Sequence, residues 1–327
     1  MPGTTYWNAG ERFMETVNLS YPLSENVVER FAAPQVLALG QFDGLHLGHI
    51  SVIKAAISLA REAGLPAAVM TFYPHPKEVM KKGDYDGYLT PPAEKERLLR
   101  ELGIDYFYVV EFNEAFSKVS PEQFVAGMLL PLNIQTAVIG FDFHFGHKGA
   151  GDAGMLCELG KPQFTVHTVP PFLIDGEKVS SSGIRKWLHE GRVDLAAGWF
   201  GRPYLVRGKV INGEKRGRTI GFPTANVEPS EHFVLPVKGV YAVKAQLEGE
   251  DRWLPGVMNL GVKPTFHEGV TKPSLEVHLF DFSQDIYEHE LTIELISYIR
   301  PERKFSSIDE LIAQIGRDAD TARELLS

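Results

Sequence analysis

Short apolar segments alternate with helix-like segments along the first half of the chain, and this alternation constrains the fold most strongly. Strand-like runs occupy residues 36–40, 67–73, 105–112, 136–141 and 164–169. Between them, apolar residues recur at helical spacing over residues 49–64, 91–103 and 121–130. Because strands that alternate with helices form a parallel sheet covered by helices, we predict an α/β domain here.

The pattern changes after Gly198, where turn residues become frequent and helical periodicity is lost. Short strand-like segments separated by turns predict a mainly antiparallel β-barrel, and residues 306–326 predict a terminal helix that Ser residues open. We therefore expect a leader or unstructured segment over 1–13, one domain over 14–196 and a second over 197–327. The strand-like segments of the second domain are 204–211, 239–247, 252–261, 274–282 and 290–299.

Composition excludes several classes of protein. The chain carries 33 Lys and Arg against 42 Asp and Glu, a net charge of −9, which disfavours binding to nucleic acid or to an anionic membrane. The lone cysteine, Cys157, permits no intrachain disulfide and fits a reducing compartment, so we expect a cytoplasmic protein. No apolar run is long enough to span a bilayer, and the first residues lack the apolar core of a signal peptide. We expect a monomer or a weak oligomer.

A first candidate site follows the strand-like run 36–40. The sequence QFDGLHLGH leads into a helix, and the N-terminus of a helix at the carboxyl end of a parallel strand suits phosphate. His46 and His49 are three residues apart, so both can face one side of the first turn. The spacing differs from the zinc-protease pattern, and the alternative is a pair of surface or capping histidines. With Gly44 and Gly48 beside them, phosphate contact is favoured.

The segment VSSSGIRKWLHEG, residues 179–191, predicts a second helix start suited to anions. Its three serines can cap the helix, and Arg185 lies in the first turn. Taken alone, the segment is equally a well-capped helix with a surface arginine. Two anion-ready helix starts in one α/β domain favour a functional role.

A second candidate site lies between Arg202 and Asn226. Six basic residues and one acid stand between Arg202 and Arg218, which indicates an anionic ligand in an otherwise acidic chain, although a solvated basic hairpin is the alternative. In GFPTAN, Thr224 and Asn226 offer the oxygen ligands that Mg²⁺ prefers beside phosphates, or else an ordinary turn.

Glu276 lies on a strand-like segment, on the same face as His278. A carboxylate on the face of a small barrel can accept a proton from a bound alcohol, so Glu276 is a candidate general base. A solvated surface charge is the alternative for a single glutamate on a strand.

Short motifs occur in both halves of the chain. They are LGQFDGLHLGH, TFYPHP, IGFDFHFGHKGAG and VSSSGIR in the first half, and RGRTIGFPTAN, GVYAV, GVMNLGVKPTF, LEVHLFDF and RPERKFSSIDEL in the second. Together these motifs resemble those of the bacterial bifunctional riboflavin kinase/FAD synthetases. The resemblance implies a Rossmann-like nucleotidyltransferase domain, a barrel-shaped kinase domain and two ATP-dependent steps, from riboflavin to FMN and from FMN to FAD. It implies Mg²⁺, with ATP, riboflavin, FMN and FAD as substrates, intermediate and product. The alternatives are an enzyme with one degenerate domain and a flavin-binding regulatory protein.

The resemblance also implies a role for individual residues in each half. In the first half, His46 and His49 would hold the ATP phosphates. The further nucleotide-binding residues that it implies there are Gly40, Phe42, Gly48, Asp142, Ser181, Ser182 and Arg185. In the family, a basic residue is frequent at the position of Gly183 and arginine at that of His144, which puts ATP affinity in doubt.

In the second half, the resemblance implies that Glu276 takes the proton of the ribityl 5′-hydroxyl group. It implies that Thr224 and Asn226 bind Mg–ATP, and that Gly208, Lys209 and Gly221 belong to loops around the nucleotide.

Overall fold

A six-stranded parallel sheet forms the centre of the first of two structural units in the computed structural model. The structure describes residues 14–81, 83, 85–212, 221–264 and 271–327. The first unit comprises the described residues up to Tyr85 together with Thr90–Val179, and the second comprises Asp86–Leu89 and Ser180–Ser327. The predicted leader, residues 1–13, lies outside the described residues.

The strand order of the sheet is β1-β4-β3-β2-β5-β6, and every neighbouring pair is parallel. The predicted α/β fold is therefore confirmed. The strands are β1 (Glu15–Leu19), β2 (Gln35–Leu39), β3 (Ala67–Tyr73), β4 (Tyr106–Glu111), β5 (Ile134–Gly140) and β6 (Thr165–Val169), and a separate hairpin contains β7 (Leu173–Ile174) and β8 (Glu177–Lys178). The helices are α1 (Glu25–Phe31), α2 (Leu47–Ala63), α3 (Pro76–Val79), α4 (Pro92–Leu102), α5 (Pro121–Phe124) and α6 (Ala153–Gly160), and a π-helical turn (Val125–Leu129) continues α5.

Strand β2 is the topological switch point of the sheet. Its five residues are all buried, and the chain adds β3 on one side of it and β5 on the other. Helix α2 is the next element after β2 and packs on the sheet through buried residues at helical spacing, including Val52, Ile53 and Ala56. Open parallel sheets bind ligands beyond the carboxyl ends of their strands at such a point.

The second unit is built on a closed antiparallel barrel in the order β10-β13-β12-β11-β14-β9, as the sequence predicts. A terminal helix, α9 (Ile308–Leu326), covers part of its outer face, where Ala319 and Ala322 pack on Val240, Ala242 and Val257. The barrel strands are β9 (Tyr204–Ile211), β10 (Ala225–Pro229), β11 (Gly239–Leu247), β12 (Trp253–Pro264), β13 (Thr271–Leu279) and β14 (Glu290–Arg300).

Two helices before the barrel pack with its core. Helix α7 (Ser181–His189) and helix α8 (Val193–Phe200) place Ile184, Leu188 and Val193 in the same buried cluster as the barrel interior. The apolar faces of both helices are thus buried within the second unit. The division at 196/197 stays a sequence prediction.

The short segment Asp86–Leu89 also belongs to the second unit. Tyr88 forms a parallel bridge with Phe233, its N–H donates to the His232 carbonyl at 2.7 Å, and its carbonyl accepts the Val234 N–H at 2.9 Å. Gly87 permits this approach, because a Cβ there would lie 2.7 Å from the His232 oxygen. Across the described residues, no helix combines the length and apolar character that a membrane crossing requires.

Candidate functional site

His46 caps the N-terminus of α2 at the carboxyl end of β2. Its Nδ1 accepts the backbone N–H of His49 at 3.2 Å, and its side chain is buried. The chain reaches His46 through a loop in which Phe42, Gly44 and Leu45 have φ of 48°, 101° and 41°. Two of these three residues carry a side chain in a region that favours glycine, so the backbone is strained at the point where the sheet topology predicts a ligand.

The His49 imidazole is held between two rings. It stacks on His46 with centroids 3.6 Å apart, and Phe42 meets it edge-on at 5.5 Å. Its Nδ1 is buried and finds no hydrogen-bond partner among the residues that the structure describes. Burial, assisted by the nearby His46 and Lys95, holds the pKa of His49 well below its ordinary value, so the ring is neutral at pH 7.

Lys95 is a buried amine beneath this loop that sequence reasoning missed. Its Nζ donates to the Gln41 carbonyl at 2.9 Å and to Thr71 Oγ1 at 3.3 Å. Burial lowers the pKa of Lys95 to about 8, and the carboxylate of Asp43 opposes that shift. The sequence did indicate that this lysine lies on the apolar face of α4, because Lys95 shares an i, i+4, i+7 stripe with Leu99 and Leu102.

Gly40 and Gly48 make room for rings of the same site. A Cβ at Gly40 would lie 3.1 Å from the Phe42 ring, and one at Gly48 would lie 3.2 Å from His46. The structure thus gives both glycines a packing reason. Their contact with a nucleotide stays a prediction.

Asp142 stands just beyond β5, the strand beside β2, and so at the same edge of the sheet as the loop that leads to His46. Lys178 Nζ lies 3.0 Å from its Oδ2 and 4.9 Å from the Phe141 ring centroid. Both charged side chains are largely exposed, so the pair adds little stability and leaves a cation and a carboxylate open to a ligand.

Arg185 is ion-paired within the second unit. Its guanidinium contacts the Asp86 carboxylate and donates to the Gly87 carbonyl at 2.8 Å, while His189 Nε2 lies 2.7 Å from the same carboxylate. Ser181 and Ser182 form the first turn of α7, which Ser180 caps by accepting the Gly183 N–H at 3.2 Å.

Gly183 has a packing reason of its own. A Cβ at this position would lie 2.3 Å from a ring carbon of Trp199. The basic residue that the family often has here would therefore displace a tryptophan packed against the barrel core.

Three polar side chains form a row across the outer face of the barrel. Glu276 on β13 lies directly opposite Asn226 on β10 and directly opposite Asn259 on β12. Residues paired in this way project to the same face with Cβ atoms about 4.5–5.5 Å apart. Ser274 Oγ donates to Glu276 Oε1 at 3.2 Å. Glu276 and Asn226 were predicted from the sequence, but Asn259 was missed. The pairing of β12 with β13 would have been needed to place it opposite Glu276.

The corner that carries Thr224 is tied to β13. A ring nitrogen of His278 lies 2.8 Å from the Pro223 carbonyl, and Phe222 meets the His278 ring edge-on at 5.5 Å. This contact fixes the chain immediately before β10, a strand that the sequence analysis did not predict. Thr224 is half-buried there and lies two residues before Asn226 in the chain.

The glycine and lysine of β9 have partners in the barrel. A Cβ at Gly208 would lie 2.4 Å from the Glu228 carbonyl oxygen, so the close β9–β10 pairing requires glycine. Lys209 Nζ lies 2.6 Å from the Glu288 carboxylate. Gly221 has φ of 85°. The basic residues 215, 216 and 218 lie outside the described residues.

The oxygen donors of this face fit Mg²⁺ better than a softer metal. Thr224 and Asn226 offer a hydroxyl and an amide oxygen, and Mg²⁺ is commonly held by a few such protein oxygens together with substrate phosphates. No group of three or more His, Cys, Asp or Glu side chains suited to a metal occurs in the described part of the chain.

Comparison with known proteins covers both units. Residues 28–183 match the family model for FAD synthetase, and residues 200–326 match that for riboflavin kinase. A bifunctional riboflavin kinase/FMN adenylyltransferase of Bacillus subtilis is 44% identical over 94% of this chain and 97% of the relative. Its counterpart in Escherichia coli K12 is 40% identical over 89% and 94%.

A solved structure has the same fold throughout. A crystal structure described as a macrolide-efflux protein from Streptococcus pneumoniae superposes with a TM-score of 0.83 at 31% identity, and covers 94% of this chain and 98% of that one. Both family models and the curated relatives instead name flavin-nucleotide synthesis. The chain belongs to the family of bifunctional riboflavin kinase/FMN adenylyltransferases, which phosphorylate riboflavin to FMN and then adenylylate FMN to FAD.

Proposed function

We propose that the histidine loop, residues 40–49, binds the ATP phosphates during adenylyl transfer. The carrying observation is the stacked His46–His49 pair at the start of α2, where free backbone N–H groups and the helix dipole favour an anion. A neutral imidazole can donate one hydrogen bond to a phosphate oxygen without the desolvation cost of a buried cation.

The adenylyl transfer itself needs no covalent enzyme intermediate. A phosphate oxygen of FMN forms a bond to the α-phosphorus of ATP, and the bond from that phosphorus to the bridging oxygen breaks to release pyrophosphate. The work of the protein is to position both phosphates and to stabilise the charge that develops on them. Within the first unit, His46, His49 and Asp142 stand at the edge of the sheet where this positioning is required.

The remaining assignments in this half rest on the family resemblance. The triphosphate is bound by Ser181, Ser182 and Arg185. The nucleotide is also contacted by Gly40, Phe42 and Gly48. Since the Arg185 guanidinium is paired with the Asp86 carboxylate, it must either leave that carboxylate or contact it and the phosphate together when phosphate binds. A guanidinium has five donors, so the exchange requires no loss of the Gly87 contact.

In the kinase half, Glu276 is the general base. Its carboxylate takes the proton of the ribityl 5′-hydroxyl group as that oxygen forms a bond to the γ-phosphorus of ATP and ADP leaves. Thr224 and Asn226 would hold Mg²⁺, which when bound neutralises charge on the transferring phosphate. Their support is the register that sets Asn226 directly beside Glu276. Gly208, Lys209 and Gly221 border the nucleotide.

A crossed pair of variants tests these roles. We expect Glu276→Gln to lose about 10²–10⁴ in the rate of FMN formation from riboflavin while converting supplied FMN to FAD normally. We expect His46→Ala to show the reverse pattern. Each variant serves as the folding control for the other, and separation of the flavins by chromatography gives both rates. Loss of both activities in either variant, or of neither, contradicts the assignment.

The setting of the enzyme is also part of the proposal. A single cysteine fits the reducing cytoplasm, and we expect a monomer or weak oligomer. Sedimentation velocity over a range of protein concentrations tests the second point.

A further inference from the structure

The row on the barrel face has an order that matches the order of atoms in phosphoryl transfer. Asn226, the proposed Mg²⁺ ligand, lies on one side of Glu276, and Asn259 lies on the other. In the transfer, the 5′-oxygen is bonded to the ribityl carbon chain on one side and attacks the γ-phosphorus on the other. The leaving oxygen lies roughly in line with it, beyond the phosphorus. If phosphate is on the Asn226 side of Glu276, the ribityl chain extends toward Asn259.

The side chain at that end of the row has a second polar group beside it. Asn259 Nδ2 donates to Glu302 Oε1 at 3.4 Å, and Asn259 is half-buried. Glu302 lies over Gly261, where a Cβ would stand only 2.4 Å from the same oxygen, so any larger residue would push the carboxylate away. Gly261 in turn pairs with Ser274, the residue that donates to Glu276.

We propose that Asn259 and Glu302 form a polyol subsite that binds the ribityl hydroxyl groups next to the one that is phosphorylated. This inference rests on the proposed role of Glu276 as the base. It adds a substrate-binding pair that holds the ribityl chain of riboflavin beside the proposed base.

The chemistry of the pair suits a polyol. Each hydroxyl group donates one hydrogen bond and accepts others, an amide does both, and a carboxylate accepts. The hydroxyl groups of the ribityl chain follow one another on adjacent carbons. A chain whose 5′-oxygen is at Glu276 therefore brings its next hydroxyl groups within reach of side chains one strand away, about 5 Å between Cβ atoms.

Steady-state kinetics of the kinase reaction test the subsite in the full-length protein. We expect Asn259→Ala to raise the KM for riboflavin roughly 3- to 10-fold, the effect of losing a hydrogen bond to a neutral group. The probe is lumiflavin, which has the same ring system but no ribityl chain, used as a competitive inhibitor of riboflavin phosphorylation. Its inhibition constant should be unchanged, because it has no hydroxyl groups for the pair to bind.

Two further variants complete the design. Glu302→Ala should raise the riboflavin KM in the same way, and it guards against a folding defect specific to position 259. Gln246→Ala removes an amide from β11, outside the row, and should change neither constant. FAD formation from supplied FMN reports in every variant on the other activity.

The outcomes separate this inference from the function on which it rests. An unchanged riboflavin KM in both Asn259→Ala and Glu302→Ala overturns the subsite. So does a parallel rise in the lumiflavin constant, which indicates that the pair only shapes the barrel face. Normal kinase activity in Glu276→Gln instead overturns the proposed base and leaves the binding result for Asn259 standing.

Discussion

His46 Nδ1 accepts the His49 backbone N–H at 3.2 Å while the two imidazole rings stack 3.6 Å apart. The first contact keeps His46 Nδ1 free of a proton, and burial lowers the pKa of His49 well below its ordinary value. A histidine with a lowered pKa becomes charged only at a pH below its usual titration. We therefore expect that His49 contributes no acid limb to kcat/KM for FAD formation between pH 8 and pH 6, as measured by flavin chromatography.

A matched variant identifies the group responsible for any acid limb. His49→Gln keeps a hydrogen-bond donor but cannot titrate. A limb near pH 6.5 that disappears in His49→Gln would show that the imidazole titrates in its ordinary range, and it would contradict the lowered pKa on which the neutral assignment rests.

We expect Lys95 to lower the free energy of unfolding below pH 8 and yet to be needed for full FAD formation. Its pKa is about 8 in the folded chain, against 10.5 as the reference for an exposed lysine. Between these values the unfolded chain holds a proton that the folded chain has lost, so Lys95 makes stability rise with pH by about 3 kcal/mol across this window. Lys95→Met removes that rise, which urea unfolding at pH 7, 8.5 and 10 measures.

The same variant should form FAD more slowly, because the Gln41 carbonyl loses its Nζ donor at the start of the histidine loop. Lys54→Met, on the exposed side of α2, is the matched control and should change neither property. If Lys95→Met lowers stability at pH 7 by several kcal/mol, the ammonium group is a net stabiliser and the expectation is wrong.

Asp86 should stabilise the second unit through Arg185. The guanidinium is 18% exposed and the carboxylate 30%, so solvent screens the pair only in part. We expect Asp86→Ala to lower the free energy of unfolding by about 1.5–3 kcal/mol, the range for a hydrogen bond to a charged group. Asp251→Ala, an exposed acid in a barrel turn, is the control for urea unfolding. Equal stability of the two variants would mean that the pair contributes nothing.

The place where the barrel unit begins can be tested with fragments. A fragment that starts at Ser180 keeps α7 and α8, whereas one that starts at Ala197 loses four buried side chains of the barrel cluster. We expect the shorter fragment to melt at a clearly lower temperature, since burial of a Val, Leu or Ile side chain contributes about 1.5–3 kcal/mol. Matching thermal transitions would show that the helices are dispensable. The four residues are Ile184, Leu188, Val193 and Ala196.

Most of the fold was predictable because its strands and helices carry strong local patterns. Strand β3 and helix α4 fall within one residue of their predicted ends, and the helical pattern predicted over 49–64 ends where Gly64 adopts the left-handed conformation. Strand β1, at the sheet edge, and strand β10, short and next to a proline corner, were missed since neither shows a clear alternation.

The site was predictable only where residue type and local spacing coincide. The histidine pair and Glu276 stand in short motifs, so the sequence revealed them. The helical stripe on α4 places Lys95 on the buried face, but its contact with the Gln41 carbonyl depends on tertiary packing, and the position of Asn259 beside Glu276 depends on strand register. The Asp86–Arg185 pair joins residues 99 positions apart and has no signal in a single sequence.

That separation has a consequence for how the chain is made. Asp86 leaves the ribosome before any of its partners in the second unit exists, and Arg185 follows 99 residues later. At about 5–20 residues per second, the interval is on the order of 5–20 s. Throughout it, the backbone groups of Tyr88 that will bond to residues 232 and 234 must be satisfied by water. The early-made segment is therefore a late-folding one, and its order of synthesis is the reverse of its order of assembly.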